Sequence, residues 1–159
     1  MHIRFRVFFA LLLVVTGGSR LCAGGETAFI RDYYDAFTAR DAGRLASFYA
    51  PAASLDDPSF GLALRGADQI RALFTSALAK YESLEWSIEH ATISGATTIV
   101  EGIMTGKLGG HTVRIHFVSV FAFADGRIVA QRDLYDVLHF YSQLGVVPGE
   151  FRPARKPSS

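Results

Sequence analysis

The sequence of 159 residues predicts an α+β domain, with three N-terminal helices packed on a curved, mainly antiparallel sheet. Apolar residues recur about every four positions up to Leu78 and every two after Tyr81, a change from helix to strand period. The later segments are joined by Gly95, Gly109-Gly110 and Asp125-Gly126, which are hairpin residues.

The chain starts with Arg4 and Arg6, then an apolar run from Val7 to Val15, then Gly17-Gly18-Ser19 and Cys22-Ala23-Gly24-Gly25. A basic start, a short apolar stretch and a small-residue exit make residues 1–25 a signal peptide, cut after Ala23, Gly24 or Gly25. The run is shorter than the roughly 20 apolar residues needed to span a bilayer, so no stable membrane anchor is expected after cleavage. The expected location is periplasmic or secreted.

The domain proper is expected over residues 26–147. Phe29, Tyr33 and Phe37, with Ile30 and Tyr34, give a first amphipathic helix over 27–39. Residues 44–49 form a second short helix, stopped by Pro51. Ser54 to Pro58 reads as a short extended piece ending in a turn, and 60–64 as a short strand. A third helix starts near Gly66-Ala67-Asp68 and buries Ile70, Leu73, Phe74, Ala77 and Leu78. Strands follow over 84–93, 97–105, 112–123 and 127–138. Residues 148–159 hold three prolines and three basic residues and are expected to form a flexible tail.

On the strand after Gly110, Val113, Ile115, Phe117, Ser119, Phe121 and Phe123 share one face. Arg114, His116, Val118, Val120 and Ala122 share the other, which would meet a partner subunit in a homodimer. On the last strand Gln131, Asp133 and Tyr135 share a face, as polar-tipped side chains lining a cavity would.

Three of the sixteen basic residues and none of the fifteen acids lie in residues 1–25, so the remainder carries a net charge of −2. That is no footprint for nucleic acid. The lone cysteine, Cys22, leaves no internal disulfide, and stability must come from core burial. His90, His111, His116 and His139 lack metal-ligand spacing, so neither metal nor cofactor is expected.

The order of Tyr33, Leu45-x-x-Phe48-Tyr49, Asp56-Asp57-Pro58, Arg65-Gly66-x-x-x-Ile70, Asp125-Gly126-Arg127-Ile128 and Arg132-Asp133-x-Tyr135-Asp136 resembles the nuclear transport factor 2-like (SnoaL-like) superfamily. The resemblance covers residues 27–145 and implies a cone-shaped fold around one pocket, often dimeric. Within it, ketosteroid isomerases carry their base just before a proline, where Asp57 stands, and an oxyanion tyrosine where Tyr33 stands. Their second oxyanion donor, a protonated aspartate, is replaced here by Ser119. Limonene-epoxide hydrolases have a closing strand similar to Arg132–Asp136, with a catalytic carboxylate at the position of Asp133. Their other two triad members would fall on Gly102 and Met104, so that triad is absent.

The candidates are therefore Asp57, Tyr33 and Asp133 for catalysis, with Ser119, Phe117, Phe121, Gln131, Tyr135 and Phe37 lining a pocket. Each has an alternative: Asp57 as a turn residue bonded to backbone amides, Tyr33 as core filling with its hydroxyl satisfied locally, Asp133 as a buried, paired carboxylate. The expected ligand is a small apolar or polycyclic molecule. The expected chemistry is proton transfer next to a carbonyl, isomerase- or cyclase-like, against the alternative of a non-catalytic carrier or dimeric interaction module.

Overall fold

A computed structural model describes residues 23–146, with side chains from residue 28 onward. The expected signal peptide, up to residue 22, and the tail 148–159 lie outside the described residues. The elements in chain order are α1 (Ala23–Thr38), α2 (Ala42–Ser47), β1 (Tyr49–Asp57), β2 (Leu62–Arg65), α3 (Ala67–Leu78), β3 (Tyr81–Ser94), β4 (Thr97–Leu108), β5 (His111–Ala124), β6 (Arg127–Tyr135) and α4 (Val137–Gln143).

The fold is α+β, and the expected helix count is corrected. Among the described residues there are four helices, and the fourth follows the sheet. The strand expected over 127–138 ends at Tyr135, because the Asp136 carboxylate turns back to accept from His139 N at 2.8 Å and caps α4. Asp41 does the same for α2 through Arg44 N, at 2.8 Å.

The six strands form one sheet in the order β2-β1-β6-β5-β4-β3. All neighbours are antiparallel except β1 and β6, which run parallel. β1 begins before Pro51, not after it. The proline is tolerated because its stretch is unpaired with β6: Tyr49 lies opposite Ile128, and the next partner pair is Ser54 and Ala130. A second irregularity sits in β6. Phe123 pairs with Ile128 and Ala122 with Ala130, so Val129 is an extra residue, a β-bulge.

One face of the sheet carries the core. Val100, Met104, Val113, Ile115, Phe117 and Phe121 join Tyr33, Tyr34 and Ala36 of α1 and Ile70, Phe74 and Leu78 of α3 in a single apolar cluster. Each fully buried large side chain contributes on the order of 2–3 kcal/mol. Toward the β5–β6 hairpin the packing is aromatic and dense. Ring centroids lie 5.3 Å apart for Tyr33 and Phe121, 5.4 Å for Tyr34 and Phe117, and 5.0 Å for Phe29 and Phe123. Gly102 leaves room for this: a Cβ there would stand 3.0 Å from the Phe117 ring and 2.2 Å from the Ser87 carbonyl oxygen. The phenylalanine-rich end of the interior is therefore filled, and open space remains toward α3 and α4.

Candidate functional site

That space is a cavity of about 400 Å³. Leu73, Phe74 and Leu78 of α3, Met104 of β4, Ile115 of β5, Phe140 of α4 and Leu144 just after it supply much of its apolar wall. Two acids line it, Asp57 and Asp133, together with Phe37, Phe60, Trp86 and Tyr135. Lys80 reaches its rim and is exposed. A cleft of about 540 Å³ beside the start of α3 holds Arg65 and Arg127 but none of the residues expected from sequence.

The sheet register brings the polar groups together. On β6, Asp133 pairs with Ser119 of β5, while Arg132 pairs with Asp56 of the parallel strand β1. The next residues along, Asp57 and Asp133, are then neighbours across β1 and β6 on the inner face. Ser119, Asp133 and Asp57 form one row, and Phe121, Gln131 and Leu55 form the next.

Asp133 is 6% exposed and accepts only from neutral donors. Ser119 Oγ donates to Oδ1 at 2.6 Å, and Gln131 Nε2 stands 2.9 Å from Oδ1 and 2.8 Å from Oδ2. Burial pushes its pKa up to about 6; the two side-chain donors oppose the rise and the Asp57 charge adds to it. Asp57 is also raised by burial, with the backbone amides of Phe60 and Ser59 opposing. Its Oδ1 accepts from Phe60 N at 3.2 Å. The turn role read for Asp57 is thus present together with its place on the cavity wall. Neither acid has a cationic partner among the described residues.

Behind the wall lies a second polar layer. The Tyr33 hydroxyl is 2.7 Å from that of Tyr49 and 2.9 Å from Gln131 Oε1, and Tyr49 also donates to Gln131 Oε1. Burial first, and then the neighbouring tyrosine and Asp133, raise the Tyr33 pKa well above the ordinary range. The hydroxyl of Tyr34, Nε1 of Trp86 and the hydroxyl of Thr98 are buried with no hydrogen-bond partner among the described residues.

Of the residues singled out in the sequence, the structure gathers Asp57, Asp133, Tyr135 and Phe37 at the cavity. Tyr33, Ser119, Gln131, Phe117 and Phe121 are buried behind it and do not line it. The hydroxyls of Tyr33 and Ser119 already bond to Tyr49, Gln131 and Asp133. Sequence reading missed Tyr49, placed on a helix and hidden by Pro51, and Phe140 of α4 with Leu144 at its C-terminal cap. The signal for α4 was present as an aspartate cap followed by apolar residues at helical spacing. Among the described residues no three His, Cys, Asp or Glu side chains gather as a metal site. None of the helices there is long and apolar enough to cross a membrane.

Comparison with solved structures finds the same fold repeatedly. A protein of ketosteroid isomerase-like fold from Catenulispora acidiphila, in complex with trimethylamine, is 19% identical, with 78% of this chain and 96% of that one covered at a TM-score of 0.70. A protein described as a SnoaL-like polyketide cyclase from Shewanella denitrificans is 21% identical, with coverage of 77% and 98% and a TM-score of 0.68. An LEH-like epoxide hydrolase from M. tuberculosis is 21% identical, with coverage of 72% and 85% and a TM-score of 0.62. No curated protein matches the chain. The SnoaL-like domain matches residues 30–131, from α1 into β6 and so well over half of the chain, and the chain belongs to that family.

Proposed function

We propose that the chain binds a small, largely apolar molecule in the cavity and moves a proton next to a carbonyl group of that molecule. The observation that supports this best is the placing of two carboxylates, without cations, on the wall of one apolar cavity. Their surroundings differ, which is how two acids take different roles. Asp133, buried and raised to about 6, is the one more readily held protonated, as a donor to a developing oxyanion. Asp57, bonded to backbone amides that favour its charged form, is the base. The base takes a proton from the carbon beside the carbonyl, the electron pair moves to the oxygen, and Asp133 donates a hydrogen bond to it. The proton is then returned to the molecule at another carbon.

The trimethylamine held by the Catenulispora protein and the cyclase name of the Shewanella one are in keeping with small-molecule use of this fold. A β,γ-unsaturated ketone is the test substrate. Asp57→Asn is expected to abolish its turnover and leave its binding in place. Binding by the wild-type protein with no turnover would favour the carrier reading. We also propose export to the periplasm or beyond, on the pattern of residues 1–25, testable by N-terminal sequencing of the protein from a cell's periplasmic fraction. A homodimer through the outer sheet face, where Ile99 and Leu134 are exposed beside Val118 and Val120, is testable by sedimentation.

A further inference from the structure

Gln131 is a buried amide between two kinds of partner, and only one orientation satisfies both. Tyrosine hydroxyls can donate to an amide oxygen, and a carboxylate can only accept from an amide nitrogen. With Oε1 toward Tyr33 and Tyr49 and Nε2 toward Asp133, every contact pairs a donor with an acceptor. Reversed, Oε1 would face two carboxylate oxygens at under 3 Å, and the tyrosine pair, which can satisfy one of its two protons internally, would lose the acceptor for the other. The hydroxyl chain therefore runs toward the carboxylate.

The consequence falls on Asp133. Oδ1 already has two donors, Ser119 Oγ and Gln131 Nε2, whereas Oδ2 has one, Gln131 Nε2. The open acceptor position of this carboxylate is on Oδ2, and Asp133 lines the cavity. We propose that Gln131, backed by Tyr33 and Tyr49, is a positioning residue that saturates the inner side of Asp133 and leaves Oδ2 as the single atom through which the carboxyl group meets a bound molecule. The polar group of the ligand then touches Asp133 at one point, and a two-pronged guanidinium contact is excluded. The proposal rests on the reading that the ligand sits in this cavity, but the hydrogen-bond chain can be tested without any ligand.

The test follows the titration of the Asp133 carboxyl by NMR in protein carrying ¹³C-labelled aspartate, with the signal assigned by its loss in Asp133→Asn. The groups facing Asp133 are Asp57 and Tyr49 of β1, Tyr33 and Tyr34 of α1 and Tyr135 of β6, with Lys80 at the cavity rim. The tyrosines stay neutral over the range used, since burial raises each of them well above its ordinary value. Burial raises the Asp57 carboxyl as well, and its charge bears on Asp133, so the titrations are repeated in an Asp57→Asn background. Gln131→Met removes the amide at similar volume and is expected to move the Asp133 midpoint up by about one pH unit or more, because donors to the charged form are lost. Tyr49→Phe keeps the ring and breaks the chain one link back; its midpoint is expected to move up by less. A midpoint unmoved in Gln131→Met would overturn the proposal. Should that variant fail to fold, Tyr49→Phe decides alone, and an unmoved midpoint there is equally fatal. Absence of ketone turnover by the wild-type protein, with the midpoint shifts observed, would count against the proposed reaction and leave the positioning role standing.

Discussion

Replacing Asp133 by Asn should make the protein less stable than wild type in acid and more stable in mild alkali. The wild-type carboxyl titrates at about 6 when folded and near the ordinary aspartate value of 3.8 when unfolded. A raised acid pKa means that the folded state holds the proton more tightly. The associated stability is fully present below about 3.8 and is lost as pH rises to about 6 and above. The whole difference is about 3 kcal/mol, at roughly 1.4 kcal/mol for each pH unit, and about 2.5 kcal/mol of it falls between pH 4 and pH 8. Asparagine has no such term. It has a different cost: its amide nitrogen must stand where a carboxylate oxygen now accepts, so one donor faces another at Gln131 or Ser119. That penalty is about 1–3 kcal/mol and does not change with pH. Urea unfolding of both proteins at pH 4 and pH 8 separates the two. With a slope of about 1–1.5 kcal/mol per molar urea, the midpoint of the variant should gain roughly 2 M on the wild type between the two conditions. A midpoint difference that is the same at both pH values would refute the burial argument for this carboxyl.

Four other outcomes follow. Ketone turnover should fall as pH rises through about 6, as Asp133 loses its proton, with the acid limb set by Asp57; a flat profile over pH 5–8 would remove Asp133 from the reaction. Trp86 is the only tryptophan of the chain and lines the cavity, so its emission should change on ligand binding and stay constant in a variant whose cavity is filled by Ala77→Phe. Gly102→Ala should lower the melting temperature strongly, since a Cβ would stand 2.2 Å from a backbone oxygen of β3, while Gly95→Ser, with open space around it, costs only the strain of its positive φ. Removing the Arg65–Asp56 pair, 2.7 Å apart but with the arginine side chain 60% exposed, should change stability by less than about 1 kcal/mol, as read by urea unfolding of Arg65→Ala.

The fold class was legible because its signal is periodic. Ile30, Tyr33, Tyr34 and Phe37 declare a helix face, and Val113 to Phe123 an alternating strand, whatever packs against them. Asp57 and Asp133 were legible through their motif positions. What could not be read was which candidates reach open space. Tyr33 and Phe121 share the interior with Asp133, and only the packing of rings shows that they fill it and leave the void under α3 and α4. Tyr49 was misplaced because Pro51 argues against a strand unless an unpaired stretch is foreseen, and such stretches depend on a partner strand about 80 residues away. The helix α4 was absorbed into the preceding strand because Leu134 and Leu138 keep an even spacing across the Asp136 cap.

The extra residue at Val129 decides what this protein can offer a guest. Counted back regularly from the Asp125-Gly126 turn, the position facing Ser119 would fall to Arg132, and Asp133 would look outward into solvent. By bulging out one residue of an otherwise plain hairpin, the strand thus sets an acid on the inner face where flush pairing of the same sequence would set a cation. The same chain paired flush, without the bulge, would keep its fold class and composition, yet present the opposite charge to whatever enters.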